Sequence, residues 1–410
     1  MHCRETHKGQ TFSSNRYVVL TLALASMLGM VNMASFGAFM PDISRDLDAS
    51  VAVLGQIATA TFIGAALVSI FAGPLADQYG KRRLLIVGLC AVALSSFGSM
   101  LAPDFGWLLV SRMVSAVSGG ILAGTTLAFA GSLFAGDERR RAMSWIASGI
   151  AAGAIAGIPF LTLVATISSW RGAFAATGAM ALIWIALIRR ALPDDSSSGE
   201  RLEVAGIFEA YRPLLDQRTM LSLYGSTIAR AVGWIGTLTY LGAYLGNELG
   251  LSTSEIGWSY MAGGGGYFIG TKLAGTGFGN PGERATYGLS TIVMGVFIGL
   301  AITLPAGPYF AISMVAIAAT AGGFGWVSLV TLISTSSPAG QGTTMSLNAA
   351  MFQVGAALGG LAGGLLLALG GYATLGLGLM GFAFLAVSLV WRPAPITLPR
   401  RAAGPSTIAE

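Results

Sequence analysis

Arg230 and Arg112 carry the most chemical potential in this sequence, because each stands inside a long apolar run whose interior holds no carboxylate. Arg230 follows Arg218 by twelve residues and precedes Glu248 by eighteen, which places it ~18 Å and ~27 Å from the two ends of a helix. Arg112 lies eight residues beyond Asp104, about 12 Å from the nearer end. An arginine near the middle of a membrane helix costs roughly 2.5–3.5 kcal/mol and is expected to face a cavity or a partner. Two fixed positive charges without a neighbouring acid suit an anionic or acceptor-rich small molecule better than a lipophilic cation. The plainer alternative is that each bonds backbone carbonyls or an acid at a helix end.

Asn32, Tyr240, Trp326, Asn348 and Gln353 are further polar or aromatic candidates within apolar runs. Such residues more often join helices than touch a ligand, although cavities for organic solutes favour aromatic linings. All eighteen acids fall in tails, loops or helix ends. Asp42, near one end of the first run, is the best carboxylate for proton exchange, with Arg112 as its expected partner. Both histidines, His2 and His7, precede the first run. No metal and no cofactor is expected, no nucleotide-binding glycine loop is present, and the short loops offer no place for a catalytic domain.

These residues need helices to hold them. Of 410 residues 54% are apolar and 10% charged, against the roughly 25% charged of a soluble domain. Twelve apolar runs approach the ~20 residues that cross a bilayer: 17–40, 51–74, 83–102, 106–134, 142–165, 172–189, 219–246, 256–276, 285–304, 308–336, 343–369 and 372–391. They are too long for barrel strands and do not alternate. The chain therefore reads as an all-α membrane protein of twelve transmembrane helices. The polar interval 190–218 divides it into six-helix bundles at 17–189 and 219–391, with tails at 1–16 and 392–410. With the amino terminus inside, nineteen of the 23 Lys and Arg fall on the cytoplasmic side, so both termini are expected in the cytoplasm. The net charge of +5 thus reflects topology, and no nucleic-acid partner is expected.

Gly153 and Gly157, which continue a four-residue spacing from Gly149, recur 202 positions later as Gly355 and Gly359. Four-residue spacing clears one helix face for close backbone approach. Static packing and a sliding contact between the two halves are equally compatible with it.

Between the second and third runs stands G-P-L-A-D-Q-Y-G-K-R-R, residues 73–83. Asp77 can cap or face a helix end, Gly80 permits the reversal, and Lys81 and Arg82 can meet lipid headgroups or acidic partners. Gly73, Leu75, Asp77, Gly80, Lys81 and Arg82 resemble, position for position, the loop signature of the major facilitator superfamily. S-W-R-G-A-F at 169–174 is similar to the opening of the sixth helix in many members. The resemblance implies two pseudo-symmetric bundles around a central cavity lined by helices one, four, seven and ten, with Asp77 closing the cytoplasmic side. Two further patterns are similar to the drug/proton antiporter branch but incomplete. Arg112 is followed by Ser115 and Ala116 where glutamine and glycine are usual, and Pro159 sits one place late after Gly153 and Gly157.

The resemblance implies a secondary carrier, not an enzyme, that moves a small organic solute by alternating access. Efflux through a bacterial inner-membrane type of plasma membrane by a monomer is the expected mode, with protons the candidate coupling ion. An importer or exchanger of an anionic metabolite, or a sensor that binds without transport, is the alternative.

Overall fold

The computed structural model describes residues 16–134, 142, 145–146, 148–193, 204–275, 282–304, 306–339 and 341–391, and every regular element among them is a helix. The first six are α1 (Arg16–Asp46), α2 (Val51–Tyr79), α3 (Lys81–Met100), α4 (Phe105–Leu133), α5 (Ser148–Ile167) and α6 (Trp170–Ala191). After α7 (Val204–Leu215) come α8 (Arg218–Asn247), α9 (Thr253–Gly275), α10 (Glu283–Thr303) and α11 (Pro308–Ser336). The final stretch, Gln341–Trp391, breaks at Gly370 and Gly371, the latter at φ 69°, giving α12 (341–369) and α13 (372–391). Among the described residues nine helices are long and apolar enough to cross a membrane, and the last of these runs covers both α12 and α13. The more glycine- and hydroxyl-rich α8 and α9 complete the expected twelve.

Local chemistry sets the ends. Ser50, Asp104 and Ser169 accept from the backbone N–H groups of Val53, Trp107 and Gly172, each satisfying an otherwise orphan donor. Gly80 turns the chain at φ 92°, a left-handed conformation that glycine adopts without a side-chain clash. Two features escaped the sequence reading. The linker is not wholly irregular, since Tyr211 and Leu214 of α7 pack with Met220, Tyr224 and Leu347 of the last six helices. Within α5, residues Gly153–Gly157 form a π turn closed by Ile158 N–H on the Gly153 carbonyl; Pro159, which has no N–H to give, follows directly.

In lipid, helices associate by close contact more than by a hydrophobic driving force, and the glycine strips serve that contact within each set of six. A methyl group on Gly149 would stand 2.2 Å from the Ala23 carbonyl, and one on Gly157 2.3 Å from Val31 Cγ2. Likewise a methyl group on Gly355 would stand 2.4 Å from the Ile228 carbonyl and one on Gly359 2.9 Å from the Val232 carbonyl. The strips therefore bind α5 to α1 and α12 to α8, and do not lie between the halves.

Other glycines make the contact across the halves. Gly37 of α1 meets Gly242 of α8, Gly55 of α2 meets Tyr240, Gly360 of α12 meets Thr59, and Gly257 of α9 meets Thr162 of α5. Pro41 contributes, because it cannot donate to the Gly37 carbonyl, and that carbonyl lies 2.1 Å from where a Gly242 methyl would be. All these approaches fall toward the face where α1 ends and α2 begins, opposite Gly80.

Candidate functional site

Arg112 is the better satisfied of the two arginines. It is 2% exposed, donates from Nη2 to the Asn32 carbonyl at 2.6 Å and from Nη1 to Asn32 Oδ1 at 3.2 Å, and lies against the Phe36 and Phe174 rings. Asn32 in turn donates to Ser115 and Ser118 at 2.7 and 3.2 Å. Asn32 and Arg112 thus tie α1 to α4, and Ser115 fills the place where the resembled motif carries glutamine.

Arg230 is less well satisfied. It is 1% exposed, donates from Nη2 to the Gly322 carbonyl, and its guanidinium lies 5.5 Å from the centre of the Trp326 ring. Its Nε is buried without a hydrogen-bond partner. Helical spacing explains the grouping, since Arg230 and Trp234 share one face of α8 while Gly322 and Trp326 share one face of α11. Around them Trp326 meets Phe352 edge-on at 5.5 Å, and Trp234 stacks on Tyr267 at 6.0 Å. Asn348 is buried and accepts from Thr227 at 2.9 Å, joining α12 to α8. Gln353 is half-buried next to Phe352. Trp234, Tyr267 and Phe352 were not singled out from sequence; the spacing Arg230 to Trp234 was the available signal.

Two candidates lie elsewhere. Tyr240 is buried in the seam between halves, donating to the Gly360 carbonyl at 2.6 Å. Asp42 pairs with Arg45 at 2.5 Å and accepts from Thr253 Oγ1 at 2.7 Å, across the halves. The Arg112 pairing expected for it does not form, because α1 runs straight through Pro41 to Asp46 and Asp42 is ten residues, ~15 Å, from Asn32. Nearby, Asp46 accepts from Arg171 and, at 3.2 Å, from Trp170 Nε1, while Arg171 also reaches the Ala102 carbonyl at 2.9 Å. The tryptophan-arginine motif therefore clasps α6 to α1 and to the end of α3.

At the opposite face Arg82 donates to the Arg189 carbonyl at 2.6 Å, and Lys81 opens α3 directly after Gly80. Gly73 and Asp77 lie in the last two turns of α2; the Asp77 side chain is outside the described residues, as are the tails and Arg139 to Arg141.

Among the described residues, twelve long helices in two sets of six, seamed by glycine and enclosing buried arginines, define a multi-pass membrane protein of the carrier class. The chain belongs to the Major Facilitator Superfamily, whose pattern matches residues 22–278 and 223–407. It is a secondary transporter and not an enzyme. Two relatives from Bacillus subtilis (strain 168) are uncharacterized MFS-type transporters. YbcL is 24% identical over 64% of this chain and 66% of its own length. YfhI is 26% identical over 86% and 88%. Among solved structures the fold is similar to the E. coli xylose transporter XylE in a partially occluded inward-open conformation, with TM-score 0.74, 15% identity and coverage of 93% of this chain and 98% of that one. The nucleoside transporter NupG, solved as a point mutant, gives TM-score 0.75 at 13% identity, covering 91% and 98%.

Proposed function

We propose that this protein is an alternating-access carrier of a small organic solute. The six-helix units 17–189 and 219–391 rock about their glycine seam, and residues 190–218 tether them. The observation that carries this reading is the placement of the tightest glycine contacts across the halves, Gly37 with Gly242, Gly55 with Tyr240 and Gly257 with Thr162, toward one face. Glycine pairs hold the halves close while offering few side-chain bonds to break, which suits a contact that must open and reform.

The positive-inside pattern supports a plasma-membrane protein whose Gly80 face and both termini are cytoplasmic. The present state is then closed outside, with Asp77, Lys81 and Arg82 belonging to the cytoplasmic gate. Efflux, as in the drug/proton antiporter branch, is supported by Arg112 in α4 and by Pro159 following Gly153 and Gly157 in α5. Asp42, bonded across the halves to Thr253, is the carboxylate best placed to link a proton to opening. The reading is tested by reconstituting the protein as a monomer in proteoliposomes and imposing a pH gradient, with a protonophore control. Gradient-dependent movement of an organic solute supports proton coupling; solute binding without movement under any gradient identifies a sensor and overturns the carrier.

A further inference from the structure

The two buried arginines differ in what they still lack. Arg112 has two oxygen acceptors from Asn32 and two aromatic faces. Arg230, equally buried, has one carbonyl, one ring and an unpartnered Nε. Removing a guanidinium from water and leaving one of its donors unmatched is unfavourable. A site in that condition favours a ligand that supplies the missing acceptor, and a negatively charged oxygen does so best.

The surroundings restrict the rest of the ligand. Trp326 covers the guanidinium and Phe352 meets Trp326 edge-on, while Trp234 and Tyr267 stack with an interplanar angle of 21°. Trp326, Phe352 and Tyr267 are only half-buried, whereas Arg230 is 1% exposed. Aromatic faces of this kind offer π surface on which a flat body can lie.

We propose that the Arg230 cluster docks the acidic group of the carried solute, and that this solute is a planar organic anion, a carboxylate borne on an aromatic or similarly flat ring. This rests on the carrier reading above. It assigns unequal roles to the arginines: Arg230 meets the solute, and Arg112 positions α1 against α4.

Equilibrium binding of labelled benzoate to the full chain purified in detergent tests this. Competition is measured with benzamide, which keeps the ring without the charge, with cyclohexanecarboxylate, which keeps the charge without the flat ring, and with chloride. Benzoate is expected to bind, with each competitor about tenfold weaker or more, the scale of a lost charged hydrogen bond or ring stack. Arg230→Gln should remove the preference for benzoate over benzamide. Trp326→Leu, at a half-buried position, should remove the preference over cyclohexanecarboxylate and keeps the test alive if Arg230→Gln does not fold. Equal competition by chloride would reduce the cluster to an inorganic-anion site, and equal competition by benzamide would remove Arg230 from recognition; either overturns the proposal. Benzoate binding without transport leaves this site standing and removes the carrier, whereas transport of other solutes without benzoate binding does the reverse.

Discussion

The Tyr240 hydroxyl lies so close beneath Gly55 of the opposite half that a methyl group at position 55 would stand 1.7 Å from it. Alanine is favoured over glycine inside a helix by about 1 kcal/mol, so Gly55→Ala should fold normally. It should nevertheless prevent the halves from closing at this face. Spin labels at Val53 and Leu361, exposed positions on α2 and α12, are expected to move apart in Gly55→Ala and to return in Gly55→Ala/Tyr240→Ala. An unchanged distance would mean that Tyr240 simply yields.

Glycines that pack within one half should behave differently. Gly149→Ala drives a methyl against the Ala23 backbone carbonyl and should cost about 1–3 kcal/mol as overpacking, seen as a lower unfolding temperature in detergent. Gly124→Ala, with no atom within 4 Å of its added methyl, should be neutral or slightly stabilising.

Asn32→Ala leaves Arg112 with the backbone carbonyl alone and strips two donors from Ser115 and Ser118. Hydrogen bonds to a charged group contribute about 1.5–3 kcal/mol each, so a loss of that order is expected by thermal unfolding. Arg171→Ala also breaks an ion pair, with Asp46, but the two side chains are 33% and 43% exposed. Solvent screening should hold that loss to about 1 kcal/mol or less.

The Asp42 to Thr253 bond ties the end of α1 to the start of α9. A double-mutant cycle of Asp42→Asn with Thr253→Val should give a coupling of about 1 kcal/mol, low for a charged hydrogen bond because Arg45 also occupies the carboxylate. Zero coupling would show that the tie does not hold this face shut.

Much of the architecture was legible because a membrane makes it so. Twenty-residue apolar runs and their basic flanks leave little freedom, and α1 to α6 and α8 to α13 fall where those runs lie. The partners were not legible, because they depend on rotation of one helix against another. On α12, Gly355 and Gly359 face α8, while Gly360 and Gly364, one residue further, face α2. A step of one residue turns a helix by about 100°, so strips of identical spacing acquire different tasks. The same holds for the arginines. Both were found by depth alone, but only the structure showed that Asn32 gives Arg112 two acceptors while Gly322 leaves Arg230 Nε without one. The π turn escaped because no periodicity announces it, and α7, although amphipathic, because its twelve residues lie inside an interval read as a polar linker.

Counterflow most directly tests the claim that this chain moves a small organic solute by rocking its two halves. Proteoliposomes loaded with unlabelled benzoate are diluted into labelled benzoate, with wild-type and Gly55→Ala protein compared at equal binding. The wild type should accumulate label transiently and Gly55→Ala should not, since it cannot close the face that Gly55 and Tyr240 seal. Equal accumulation by both, or binding by the wild type with no accumulation of benzoate or of any other solute so tested, would contradict the account.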